Sequence, residues 1–206
     1  MHTCSLASKW SVGRLVLRPP VYRRHIVHCN PTTTDLFTTM PLDLSLSSQA
    51  PELGQYGDYS WDDAAFAVYT LLGDAVWLED VASALEKQWL EQRNEDHLVR
   101  PAAPVAGFES LRDVLQAHIA LDKVKDGGSA AGSLEWWPTA FIVVVRKDWT
   151  TEPGGLLFVF ADEEKGYEMY KFYFRVEDAY MMLSSLSFGD EGLARSKEIY
   201  GRKPGT

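Results

Sequence analysis

The chain has 206 residues, 46% of them hydrophobic and 24% charged, which is enough to enclose a core without disulfide or metal staples. Twenty Lys and Arg stand against 29 Asp and Glu, and the net charge of −9 disfavours phosphate backbones and anionic lipid as partners. No apolar run reaches the ~20 residues a membrane-spanning helix needs, and Cys4 and Cys29 are the only thiols available for disulfides, thiolate catalysis or Cys-based metal sites.

Charge is unevenly spread. Residues 1–34 carry Lys9, Arg14, Arg18, Arg23 and Arg24 and no carboxylate, whereas residues 35–206 hold 15 Lys and Arg against 29 Asp and Glu, a net of −14. In the basic stretch Leu6, Trp10 and Leu17 can share a helical stripe, which Gly13 weakens and Pro19-Pro20 ends. Arg and Ser without acids match an organellar transit peptide, and the alternative is translation starting at Met40. The first places the protein in mitochondria and the second in the cytoplasm. A secretory signal is disfavoured because no continuous apolar stretch of about 7–15 residues is present. The expected organisation is a disordered basic leader over 1–40, a loose linker over 41–56, and a single domain over 57–206.

Ser60 followed by Trp61, Asp62 and Asp63 reads as a helix start, with the hydroxyl capping free amides and the acids at the positive end of the macrodipole. Ala64, Val68, Leu71 and Leu72 continue at helical spacing and Gly73 supplies a stop. A second helix is expected over 74–93, with Leu78, Val81, Leu85 and Trp89 inward and Glu86, Lys87, Glu91, Gln92 and Arg93 on the solvated face. Pro101 and Pro104 mark a connector. A third helix over 108–121 turns Leu111, Val114, Leu115 and Ile119 inward, and the small residues of 126–133 read as a flexible linker.

The pattern then changes. Residues 139–146 contain Phe141, Ile142, Val143, Val144 and Val145 without polar alternation, which suits a central strand covered on both faces. A turn at 152–155 leads to a second apolar strand over 156–160, and a turn at 162–166 leads to a third. There Tyr170, Phe172, Phe174 and Val176 alternate with Lys171, Tyr173 and Arg175. Tyr180, Leu183 and Leu186 restore helical spacing, and a last helix runs to about Glu198. Two short connections between successive strands imply an antiparallel β-meander over about 139–176, packed by several amphipathic helices in an α+β fold.

The motifs of residues 108–202 resemble an uncharacterised family of small bacterial and fungal domains of unknown function. They comprise the leucine-bearing helix 111–119, the apolar strand 141–147 ending in a charged pair, and the hairpin from Thr150 into strand 156–160 with Asp162 and Glu163 after it. The aromatic strand 172–176 and a helical tail with Leu186-Ser187-Phe188-Gly189-Asp190-Glu191, closed by Tyr200-Gly201-Arg202, complete the pattern. Asp62-Asp63-Ala64-Ala65-Phe66 is similar to that family's opening helix. The second helix and its Pro-rich connector depart as an insertion, and the family's first strand is not evident. The resemblance implies a fold and no activity.

Candidate chemistry is sparse. Beyond the leader there are two histidines, His97 and His118, with no His-x-x-x-His or Glu-x-x-His spacing, so no metal or other cofactor is expected. His118, with Asp122 one turn later, reads either as a general base oriented by that carboxylate or as a helix-surface histidine with a favourable neighbour. Asp162, Glu163 and Glu164 read as a cation or basic-partner site, or as a solvated hairpin tip. Gly127–Gly132 lacks the Lys-Ser/Thr of a phosphate loop. Trp136 and Trp137 point to opposite faces of an extended chain, so one reads as a core residue and the other either as an interface residue or as core as well. The functional expectation is a non-enzymatic acidic module that engages another protein and no nucleic acid, of unspecified oligomeric state. The alternative is a small enzyme of unfamiliar type using carboxylates with His118.

Overall fold

The computed structural model describes residues 41–203 except 93–95, 105, 126–131 and 152–153. The chain divides into two units, Met1–Thr39 and Met40–Thr206. The basic leader and most of the small-residue stretch 126–133 lie outside the described residues.

The second unit is α+β. In chain order it contains β1 (Ala65–Thr70), α1 (Leu78–Leu85), α2 (Lys87–Glu91), β2 (Val99–Pro101), α3 (Leu111–Ala120), β3 (Trp136–Val144), β4 (Leu156–Asp162), β5 (Glu168–Phe174), α4 (Val176–Ser187) and α5 (Leu193–Tyr200). Short 3-10 turns occupy Pro51–Tyr56 and Glu163–Lys165. The strands form one mixed sheet in the order β2-β1-β3-β4-β5. The meander β3-β4-β5 is antiparallel with Val143 opposite Leu157 and Phe158 opposite Phe172, while β1 is parallel to both β2 and β3.

The helix expected to begin at Ser60 is instead β1. Its helical spacing was incidental: the run Ala65-Phe66-Ala67-Val68-Tyr69-Thr70 is apolar at nearly every position and rich in β-branched and aromatic residues, a pattern that short buried strands and helices share. All six residues are buried because β1 lies between β2 and β3 and is covered on both faces. Phe66 and Val68 enter one core while Ala65, Ala67 and Tyr69 enter the other. Asp62 therefore precedes a strand and accepts a hydrogen bond from the Ser60 hydroxyl at 2.9 Å.

The helix expected over 74–93 is broken at Glu86, which is buried rather than solvated. Its carboxylate accepts from the Val99 amide at 3.3 Å and meets His97 Nδ1 at 2.9 Å, tying the break to β2. Leu78, Val81, Leu85 and Trp89 are buried as expected. The segment 41–56, expected to be loose, is docked. Asp43 bridges to Ser110, Gln49 bridges to Glu168, and Leu53 is buried.

Helices cover both faces of the sheet. α1, α2, α4 and α5 close one core around Phe66, Ile142, Phe158 and Phe174, and α3 with the Pro51–Tyr56 turn closes the other around Tyr69, Phe141, Val143 and Val159. Each such large side chain contributes about 1.5–3 kcal/mol on leaving water. α3 starts at a capping box: Ser110 Oγ accepts from the Asp113 amide at 3.2 Å and Asp113 Oδ2 accepts from the Ser110 amide at 2.8 Å.

Candidate functional site

His118 is neither a surface histidine nor an exposed base. It is fully buried on α3, against Phe141 at a ring-centroid distance of 4.6 Å. β1 and β3 converge there. The pairing of β1 with β3 shifts register around Pro138, whose carbonyl then accepts a hydrogen bond from His118 Nε2 at 3.1 Å. Tyr69 donates its hydroxyl proton to Nδ1 at 3.1 Å, so the partners select a neutral imidazole with its proton on Nε2. Burial, and then the neighbouring Lys123 charge, hold the His118 pKa well below 6.5. Asp122 does not orient the ring; its carboxylate accepts from the Val124 amide at 3.1 Å.

Lys123 is also enclosed. Its ammonium donates to the carbonyls of His118 and Leu121, and so satisfies two carbonyls that the end of α3 leaves free. Burial lowers its pKa to about 8, opposed by Asp122. The cluster links β1, α3 and β3, and Tyr69, His118 and Lys123 are each at most 1% exposed.

Trp136 and Trp137 point to opposite faces as expected, but both are buried, at 9% and 6% exposure. Of the two readings the core one holds for both, and what covers each ring is the reason. The Arg100 guanidinium lies 4.5 Å above the Trp136 ring and is itself held by Glu135 at 3.1 Å. Trp137 stacks on Phe66 at 4.7 Å and meets Trp61 edge-on at 5.3 Å.

Asp162, Glu163 and Glu164 lie where β4 ends and the Glu163–Lys165 turn begins. They divide in role. Asp162 is buried and accepts from Lys165 Nζ at 2.8 Å, while Glu163 and Glu164 are exposed. Partial desolvation of its carboxylate, and then the Asp162 charge, raise the Glu163 pKa. Beside them is a groove of about 320 Å³ between β4, β5 and α5, lined by Phe160, Asp162, Tyr170, Lys197 and Glu198 among others. Tyr170 projects between Lys165 and Lys197, whose ammonium groups lie 5.1 and 4.6 Å from its ring, and it donates to Glu168 at 2.7 Å. This groove opens on the α5 side of the sheet and His118 is sealed on the α3 side, so the structure does not bring the carboxylates and the histidine together. Among the described residues no group of three or more His, Cys, Asp or Glu is placed to hold a metal, and no helix is long and apolar enough to cross a membrane.

A different surface carries apolar side chains in water. On α4 Met181 is 55% exposed, and two turns later Phe188, at the helix end, is 67% exposed. Positions seven apart share a helix face. Leu90 of α2 is 42% exposed, and its neighbour Trp89 packs its ring 5.6 Å from that of Phe188. Exposed Glu91 follows Leu90, exposed Asp190 comes two residues after Phe188 and exposed Glu177 one helical turn before Met181, with Lys87 the cation on α2. The signal for this face was present in the seven-residue spacing of Met181 and Phe188, but that spacing says nothing about which face of a helix lacks a neighbour.

Comparison with protein-family models, curated proteins and solved structures returned no match.

Proposed function

We propose that this chain is a non-enzymatic, acidic protein-interaction module that docks a basic amphipathic helix of another protein on the α2/α4 face. The observation that carries the reading is the exposure of Leu90, Met181 and Phe188 together on neighbouring helices. Apolar patches rimmed by charge are the usual form of a protein-docking surface. Among the described residues the exposed charges near it in sequence are Glu91, Glu177 and Asp190 against Lys87, and residues 35–206 carry a net charge of −14, which favours a cationic partner and speeds its encounter. A helix with apolar residues at i, i+3/i+4 and i+7 matches the spacing of Met181 and Phe188. The resemblance of residues 108–202 to a family of unknown function is part of this reading and adds no chemistry to it. Location, in mitochondria or in the cytoplasm, turns on whether residues 1–39 are an import leader, which the mass of the mature N-terminus decides.

The test is fluorescence anisotropy with a labelled Leu/Lys peptide of helical periodicity and a scrambled peptide of identical composition. The periodic peptide binds more tightly than the scrambled one, and Phe188→Glu with Met181→Lys removes the difference without changing the thermal melt. Equal binding of the two peptides, or binding unaffected by the double substitution, refutes the reading.

A further inference from the structure

His118 is a titratable group that the α2/α4 face does not use, and it sits where α3 is fastened to the sheet. α3 buries Leu111, Val114, Leu115 and His118. The first three attach by apolar contact alone. His118 adds the polar attachment, since Tyr69 of β1 donates to its Nδ1 and its Nε2 donates to Pro138 O of β3. On the opposite face of the sheet α1, α2, α4 and α5 pack against one another as well as on the strands. Among the described residues α3 shares its own face with the Pro51–Tyr56 turn and with Leu44 and Leu46 before it. Its hold therefore rests on four side chains, of which one can take up a proton.

The chain on either side of α3 is anchored without the imidazole. Before the helix the Leu111 amide donates to Asp43 O at 2.8 Å, and after it the Glu135 amide donates to Lys123 O at 2.7 Å. α3 can thus open locally while the flanking segments stay in place.

Protonation of His118 works against the closed form. Nε2 already donates, so a second ring proton must go to Nδ1, where the Tyr69 hydroxyl now directs its own proton. The residue is 0% exposed, so the new charge would have no water around it. Of the other titratable groups here, Lys123 places its ammonium on the His118 carbonyl and 5.3 Å from the ring of Tyr56, which belongs to the Pro51–Tyr56 turn. Asp122 turns its carboxylate to the Val124 amide. Burial lowers the Lys123 pKa to about 8, so that group is charged at neutral and acid pH and opposes a second cation beside it. In an open α3 the imidazole meets water and takes up its proton as pH falls through about 6.5. Acid therefore favours the open form, and the closed form is fully favoured above that pH.

We propose that α3 is an acid-released lid: protonation of His118 frees the helix from the sheet while the strands stay folded, and uncovers the apolar face formed by Tyr69, Phe141 and Val143. This device lies on the other side of the sheet from the α2/α4 face and does not depend on it.

Hydrogen exchange of the full chain at pH 7.5 and pH 5, corrected for intrinsic rates, tests the proposal by comparing peptides over 111–120 with peptides over 156–162. Protection of α3 is expected to fall ~10-fold at pH 5, with a ceiling of ~30-fold for one imidazole, while β4 changes less than ~3-fold. His118→Gln is expected to remove the pH difference at α3. Should that variant melt early, the wild-type pH profile decides: α3 opening rises only below about pH 6.5 and no more steeply than ~10-fold per pH unit. Equal loss of protection in α3 and β4 overturns the proposal. So does α3 protection that is indifferent to pH, a pH difference that survives His118→Gln, or opening that begins well above pH 6.5.

Discussion

The Tyr69 hydroxyl donates to His118 Nδ1 across 3.1 Å, joining β1 to α3 through residues 49 positions apart. The imidazole is thereby held neutral in the core, and this has a pH consequence. The folded-state pKa of His118 lies below 6.5, so as pH falls below about 6.5 the unfolded chain takes up a proton that the folded chain excludes. Stability from this group is fully present above that pH and is lost on acidification, at no more than about 1.4 kcal/mol per pH unit. Urea denaturation at pH 7.5 and pH 5 is expected to show wild type losing more stability between the two than His118→Gln, although the variant is the less stable protein at pH 7.5. An equal pH loss in both would remove the assignment of a buried neutral imidazole.

The capping box of α3 is a reciprocal pair, and its two halves act as a unit. Ser110→Ala is expected to cost about 1 kcal/mol, and Asp113→Ala a similar amount. The double variant should cost less than the sum of the two, since each single change already disrupts the shared geometry. Chemical denaturation of the three variants measures this coupling.

Gly155 precedes β4 where the chain passes close to Trp149. A Cβ at that position would lie 2.5 Å from the Trp149 Cα and 3.1 Å from the Arg146 Cβ, so backbone would have to move. Gly155→Ala is expected to destabilise by about 1–3 kcal/mol, the range for overpacking. A thermal melt unchanged from wild type would show that the turn has slack.

Phe158 and Phe188 are the same residue type in opposite settings. Phe158 is fully buried, with the rings of Phe66, Phe160, Phe172 and Phe174 within 6.3 Å, whereas Phe188 is mostly in water. Phe158→Ala is expected to cost about 3–5 kcal/mol. Phe188→Ser should stay within about 0.5 kcal/mol of wild type, and it should alter tryptophan emission through Trp89, whose ring it contacts. A large stability loss in Phe188→Ser would place that ring in the fold rather than on a docking surface.

The meander was legible in the residues because each strand carries its own signal. Ile142-Val143-Val144 is β-branched and apolar, and Tyr170, Phe172 and Phe174 alternate with Lys171 and Tyr173 over a run too short to mistake. The faces of α1, α3 and α4 were legible through helical spacing. β1 was not, because Ala64, Val68 and Leu71 satisfy helical spacing while their neighbours satisfy burial on both sides of a sheet. Nor was β2, whose Val99-Arg100-Pro101 becomes a strand only through pairing with Phe66, Ala67 and Val68.

The candidate site shows the same division. That Trp136 and Trp137 must face opposite ways follows from local geometry alone. Both are buried because Arg100 comes from β2 to roof one, and Phe66 and Trp61 arrive to enclose the other. Local sequence determined which residues are apolar, how they repeat, and therefore that helices and a three-stranded antiparallel ribbon would form. Tertiary structure decided that His118 would be a neutral core residue, that Glu86 would break a helix, and that Met181 and Phe188 would be left in water. Periodicity records the surface each residue shares with its own element, whereas burial depends on the surface that another element brings to it.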